Sequence, residues 1–372
     1  MVALRQIQSY LDNRDIKRAE NLIAKSLRAD PDKEMRASLL LARSRLKLLV
    51  QKPDDVLRDV DQAVELLSIN PQDRPQIREL IADSLLMRYE TALVGFMEKS
   101  DLLRAKEHYL EIMGSHPDYE NLGWIYYQIG RVSLILTDVE QAETYLRQAL
   151  FTASHVPELT AYVYERLGFI AFYERRDPIK ADMYLTKALD TYPSELPQQW
   201  SVQVLLLQTR ALRKIDLNRA LDTGAEAIEL TNSATDKSLH TEALLNQSEI
   251  LEEYQSRPRE VIDILQRFLL HSKNPLGIDV TRSRVYERLA NAYMQTHQYI
   301  EALDAYHFAL QFNPDHPWEH ALKYQMAVAL FRTGDFEGSR SVILELLNNG
   351  EVTPQDRESL LRLLKQIDPA SI

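Results

Sequence analysis

One spacing recurs along this chain and limits what it can become: four positions, then three, then five. Ala302, Tyr306, Ala309 and Pro314 show it in full. It returns as Ala181, Leu185, Ala188, Pro193, as Ala105, Tyr109, Ile112, Pro117 and as Ala19, Ile23, Ser26, Pro31. Ala142, Leu146, Ala149, Ser154 and Ala220, Gly224, Ala227, Asn232 keep it without the proline. Looser copies run through Asp59, Ala63, Leu66, Pro71, through Val261, Leu265, Phe268, Lys273 and through Ser339, Ile343, Leu346, Glu351. Positions four and three apart share one face of an α-helix. Small residues on that face let a second helix approach closely, the larger residue between them fills the gap, and proline stops the helix. The copies end at residues 31, 71, 117, 154, 193, 232, 273, 314 and 351, so the chain reads as nine units of about 40 residues.

Each unit needs a first helix ahead of this second one. The clearest is Tyr286, Leu289, Ala290 and Tyr293, ahead of Ala302. Tyr164, Leu167, Gly168 and Tyr126, Ile129, Gly130 repeat the arrangement. This pattern, aromatic, two residues, Leu with Gly or Ala, then Ala, a large residue and Pro, resembles the tetratricopeptide repeat family. The match is strong over 121–195 and 278–316 and thin over 36–75 and 236–277. The family unit is 34 residues, and the longer unit here resembles the tetratricopeptide-like sensor domains of bacterial regulators.

The resemblance implies an all-α solenoid, a right-handed superhelix of about nine helical hairpins with first helices inside. Unit boundaries fall near 1–35, 36–75, 76–120, 121–157, 158–195, 196–235, 236–277, 278–316 and 317–352. Residues 353–372 read as an amphipathic helix, Thr353 at its N-cap and Pro354 at its first position, covering the last hairpin. Residues 271–280, holding Pro275 and Gly277, read as an ordinary inter-repeat turn.

Composition agrees with helix and narrows function. Ten glycines are scattered through 372 residues and form no phosphate-cradling loop. No cysteine occurs, so disulfides, thiolate metal sites and a cysteine nucleophile are excluded. Lys and Arg number 44 against 55 Asp and Glu, a net charge of −11, which argues against direct nucleic-acid binding. The first twenty residues carry charge throughout, and no apolar run reaches membrane-spanning length. A cytoplasmic chain with no membrane insertion is expected.

Chemical motifs are missing. His316 and His320 are the nearest approach to a metal pair and read as packing and capping groups, with no third ligand. Neither Asp54 with Asp55 nor Glu252 with Glu253 can work as a pair, because adjacent helical residues point apart. No catalytic residue, metal or cofactor is expected. The two-carboxylate clamp of some tetratricopeptide domains is also unsupported: Asn291 sits at a clamp position, but Glu287, Ala321 and Gln325 stand where Lys, Arg or Asn are wanted. Asn291 reads as an inter-helix hydrogen-bonding residue.

Aromatics concentrate between 119 and 192. Tyr126, Tyr145, Tyr164 and Phe172 fall at packing positions. Registering the first helices on Gly130 and Gly168 turns a second set toward the channel: Trp124, Tyr127 and Arg131 on one helix, and Tyr162, Glu165, Arg166, Phe169 and Tyr173 on the next. Met87 and Glu90 extend that wall. Tyr, Trp and Arg on a concave wall are the composition of a protein-binding hot spot. The competing reading is that these side chains pack on one another. The sequence therefore points to a non-catalytic scaffold that binds a peptide, extended segment or helix of a protein partner in the channel. A regulatory or sensor domain acting on a separate effector is the second reading.

Overall fold

The computed structural model describes residues 2–92, 98–152, 154–194, 197–233, 237–254, 257–272, 279–348 and 354–367. These residues form nineteen α-helices and no strand. They divide into two compact units, Met1–Leu196 and Pro197–Ile372.

In the first unit the helices run α1 Val2–Asp12, α2 Ile16–Arg28, α3 Lys33–Leu49, α4 Pro53–Leu67, α5 Pro75–Thr91, α6 Lys99–Ser115, α7 Leu122–Ile135, α8 Val139–Thr152, α9 Pro157–Phe169 and α10 Pro178–Thr191. Consecutive pairs form five hairpins. The second unit continues with α11 Gln198–Leu212, α12 Leu217–Asn232, α13 Ser238–Glu253, α14 Pro258–His271, α15 Val280–Gln295, α16 Tyr299–Phe312, α17 Glu319–Thr333 and α18 Phe336–Asn348, four more hairpins, and ends on α19 Pro354–Ile367. The fold is an all-α stack of helical hairpins. α19 lays Leu360, Leu363 and Leu364 over Ile343 and Leu346 of α18 and Ala327 of α17. Thr353 and the segment 273–278, with Pro275 and Gly277, lie outside the described residues.

The recurring spacing is the buried face of the second helices. Ala142, Leu146 and Ala149 are fully buried, as are Ala181, Leu185 and Ala188, and Ala302, Tyr306 and Ala309. On the partner helix the small residue faces the large one: a Cβ placed on Gly130 would come within 2.9 Å of Leu146 Cγ, and one on Gly168 within 2.7 Å of Leu185 Cγ. Tyr126 stacks on Tyr145 and Tyr164 on Tyr184, each at 6.2 Å, so both hairpins repeat one interlock. Serine substitutes for the small residue elsewhere and adds a tie. Ser283 donates to the Ala309 carbonyl at 2.7 Å, and Ser339 to that of Ala327 at 2.8 Å.

The turns inside the hairpins share a backbone device that composition hides. Arg14, Gln51, Thr137, Arg176, His297 and Gly334 all carry positive φ in the turn between first and second helix. In five of these turns the following residue closes a six-to-one bond to the first helix, as in Asp138 N–H to Ser133 O at 2.9 Å and Gln298 N–H to Tyr293 O at 2.9 Å, whereas Asp177 N–H reaches Ala171 O at 2.8 Å. Five of the six are not glycine. Aspartate caps the next helix in several turns: Asp15, Asp177 and Asp216 accept from N–H groups of the second helix's first turn.

The glycine interlock makes a signed prediction. Gly168→Ala should destabilise the α9–α10 hairpin by about 1–3 kcal/mol through overpacking on Leu185. Gly114→Ala, near the end of α6 with nothing within 4 Å of the new Cβ, should instead stabilise by up to about 1 kcal/mol. Hydrogen exchange of the two hairpins measures both; equal effects would show that close approach at Gly168 is not what holds that hairpin.

Candidate partner-binding groove

Within the first unit, the first helices α3, α5, α7 and α9 alternate with second helices, and α7, α9 and the turn after α9 carry the residues singled out by sequence. Each step between packed helices is about 8–10 Å, so an unbent row would separate the first hairpin from α9 by roughly 35–40 Å. Yet the guanidinium of Arg14, in the α1–α2 turn, lies 2.9 Å from the carboxylate of Glu158 at the start of α9. The row therefore curves back toward its own start.

The aromatic wall is built from α7 and α9. Trp124 meets Tyr127 edge-on at 5.8 Å and Tyr162 at 6.0 Å, while Tyr127 and Tyr162 stack at 6.2 Å. Tyr127 is buried, and Trp124 and Tyr162 are half-buried. The rings support one another, and their hydroxyls are engaged, Tyr162 with Glu158 at 3.0 Å and Tyr127 with Arg166. Phe169 and Tyr173 form a separate group with Phe172, at 4.7 and 4.8 Å, and Tyr173 is exposed. Phe169 lies about two helical turns beyond Tyr162 along α9, and a π-helical turn at Ile170–Glu174 then shifts Phe172 and Tyr173 out of the α-helical register.

Both arginines engage Tyr127, Arg131 over its ring and Arg166 by a hydrogen bond to its side chain. Arg131 donates to Gln128 Oε1 at 2.8 Å, pairs with Glu90 of α5 and lies over the Tyr127 ring at 5.7 Å. Arg166 has Glu165 beside it at 2.8 Å, but Arg166 Nε and Glu165 Oε2 are buried without a hydrogen bond. Neighbours in helix sequence point apart, so this ion pair is poorly aligned. Arg166 keeps about a third of its side chain exposed (34%) and Glu165 only 12%. Burial pushes the Glu165 carboxyl up, and the Arg166 charge offsets only part of it.

Sequence reading stopped at Met87 and Glu90 on α5 and missed the polar floor there. Tyr119 donates to Glu79 at 2.5 Å with Asn121 at 3.3 Å, and Tyr109 donates to Asp83 at 2.5 Å with Gln128 at 3.4 Å. The available signal was the spacing 79, 83, 90, which sets three carboxylates on one helical face. Burial raises Glu79, and burial together with the Glu79 charge pushes Asp83 up to about 7. In the second unit, His316 accepts from the Trp318 N–H at 3.1 Å and faces Glu287 at 3.3 Å. Asn291 accepts from the Tyr306 hydroxyl at 2.6 Å, the inter-helix bond expected of it. Among the described residues no three His, Cys, Asp or Glu converge as metal ligands, and no helix is long and apolar enough to cross a membrane.

With this geometry in view, comparison with known families gives one match: residues 125–150, from α7 into α8, match the tetratricopeptide repeat. That match spans one hairpin of the stack. No curated protein matches it. Solved structures that resemble these repeats include PilW, a widely conserved type IV pilus biogenesis factor, at 16% identity, TM-score 0.48, covering 65% of this chain and 97% of that one. PilF of Pseudomonas aeruginosa aligns at 17% identity and TM-score 0.45 over 68% and 96% of the two chains. YrrB, a tetratricopeptide protein with an unusual peptide-binding site, aligns at 16% and 0.45 over 59% and 98%.

The repeat floor has a pH signature. Asp83 binds its proton more tightly folded, near 7, than its ordinary value of 3.8. Such a group is neutral in both states below about pH 4; as pH rises to about 7 the unfolded chain ionises first and folded stability falls. Relative to Asp83→Asn, the parent should lose stability across that window and run parallel above it. Denaturation midpoints at pH 4.5, 6 and 8 measure this; parallel behaviour throughout would show that Asp83 titrates normally.

Proposed function

We propose that the chain is a protein-interaction scaffold whose first-unit groove receives an extended segment of a protein partner across α5, α7 and α9. The observation carrying this reading is the braced wall of Trp124, Tyr127 and Tyr162 flanked by two guanidiniums. Rings already locked against one another lose little entropy on binding, and arginine adds directed donors. Arg131, held by Glu90, Gln128 and Tyr127, braces the wall. Arg166, bonded to Tyr127 and poorly aligned with Glu165, keeps about a third of its side chain exposed (34%) toward a carbonyl or carboxylate of the partner. Repeat hairpins that stack by their neighbours leave the inner row of first helices available for such a segment.

Truncating Tyr127 is a poor test, because its side chain is part of the core and its loss would cost about 3–5 kcal/mol. Arg166→Glu reverses the charge at a partly exposed position but also removes a hydrogen bond to Tyr127 and the charge beside Glu165, so circular dichroism and thermal unfolding must first show the variant folded. Partners captured from lysate by the parent chain and identified by mass spectrometry should lose affinity for Arg166→Glu by at least about tenfold, while Arg147→Ala on the exposed side of α8 should not matter. Undiminished capture by a folded Arg166→Glu chain would place the partner elsewhere.

A further inference from the structure

The contact across the bend of the first unit seats a guanidinium on a carboxylate. Glu158 Oε1 accepts from Arg14 Nη2 at 2.9 Å and from the Tyr162 hydroxyl at 3.0 Å. The Tyr192 ring stands 6.2 Å from that of Tyr162, and the Arg14 charge is felt by both phenols. A guanidinium thus rests on a carboxylate walled by two tyrosines. Both bonds fall on Oε1, so Oε2 remains for the second donor of a forked guanidinium.

Arg14 arrives from 144 residues away. It stands at the tip of the α1–α2 turn with φ +54°, held by its own N–H to Leu11 O at 3.0 Å and by Asp15 N–H to Tyr10 O at 2.8 Å. The turn presents the side chain as a probe, and the grip is light. The two side chains are 48% and 27% exposed, and an exposed pair of this kind shifts an equilibrium by at most about fivefold. Lysine suits the site less well, because a planar guanidinium can both fork onto a carboxylate and lie against tyrosine rings. The net charge of −11 favours the approach of cationic segments.

We propose that Glu158, Tyr162 and Tyr192 form an arginine-recognition site at the edge of the groove, and that Arg14 is an internal occupant which an arginine of the partner segment displaces. This rests on the groove reading above, because Tyr162 belongs both to this site and to the Trp124–Tyr127 wall. Partner entry then exchanges one guanidinium for another and releases the first hairpin from α9. The groove opens as it is filled.

The probe is the peptide acetyl-Gly-Arg-Gly-Gly amide, with its neutral citrulline counterpart as control, titrated into the full chain and followed by the Trp124 indole resonance. Removing the competitor by Arg14→Ala should tighten the arginine peptide about three- to sixfold. The citrulline peptide should show no gain, and Arg14→Ala combined with Glu158→Gln should abolish it. Glu158→Gln alone provides a second route, since it frees the first hairpin without creating the arginine site. Equal affinity in parent and Arg14→Ala, an equal gain for citrulline, or a gain that survives Glu158→Gln would overturn the proposal. Arg166→Glu separates the two readings: if it leaves both partner capture and the arginine gain intact, the groove reading fails and this site stands. If it abolishes capture while Arg14→Ala gains nothing, the reverse holds.

Discussion

Everything in this molecule depends on how closely two helices of a hairpin can approach. A glycine, alanine or serine at the crossing lets the facing helix insert a leucine or tyrosine, and the interlock then repeats. Gly130 against Leu146 and Gly168 against Leu185 show it at its tightest, with less than 3 Å to spare for an added Cβ. Helices joined this way bury one face within the hairpin and another against the next hairpin. In the first unit Tyr127 joins the core shared by α7, α8 and α9, with Trp124 and Tyr162 packed against it.

The proposed binding face has two kinds of residue, and their physics differs. Trp124, Tyr127 and Tyr162 satisfy one another and need no ligand to be stable. Glu79, Asp83 and Glu165 are carboxylates whose burial is incompletely offset, so they hold protons above their ordinary range. A face that is rigid in its rings and under-compensated in its charges is poised to gain from contact. Arg14 on Glu158 is an instance already realised within the chain.

The hairpins were legible because the small-large-small spacing is local and survives in nearly every copy. Core positions such as Ala142, Leu146 and Ala149, the stacking of Tyr126 on Tyr145, and the inter-helix bond of Asn291 could be read from it. The π turn at Ile170–Glu174 was not legible, since an inserted residue leaves no mark in a spacing that presumes an α-helix. Turns with positive φ at Arg14, Gln51, Thr137, Arg176 and His297 were invisible, because only Gly334 bears the residue usually associated with that conformation. Arg14 and Glu158 were beyond reach for a different reason. Their meeting depends on the accumulated bend of several hairpins, and no local pattern encodes an accumulated angle. The division at Pro197 is likewise unmarked by any change of composition.

The central claim is that the inner face of α5, α7 and α9 is where a partner lies. Hydrogen exchange of the full chain with and without a captured partner tests it most directly, since protection maps contact along the backbone without any substitution. New protection should concentrate in α5, α7 and α9, with faster exchange at the α1–α2 turn as Arg14 leaves Glu158. Protection confined to α6, α8 and α10, or to the second unit, would contradict the account.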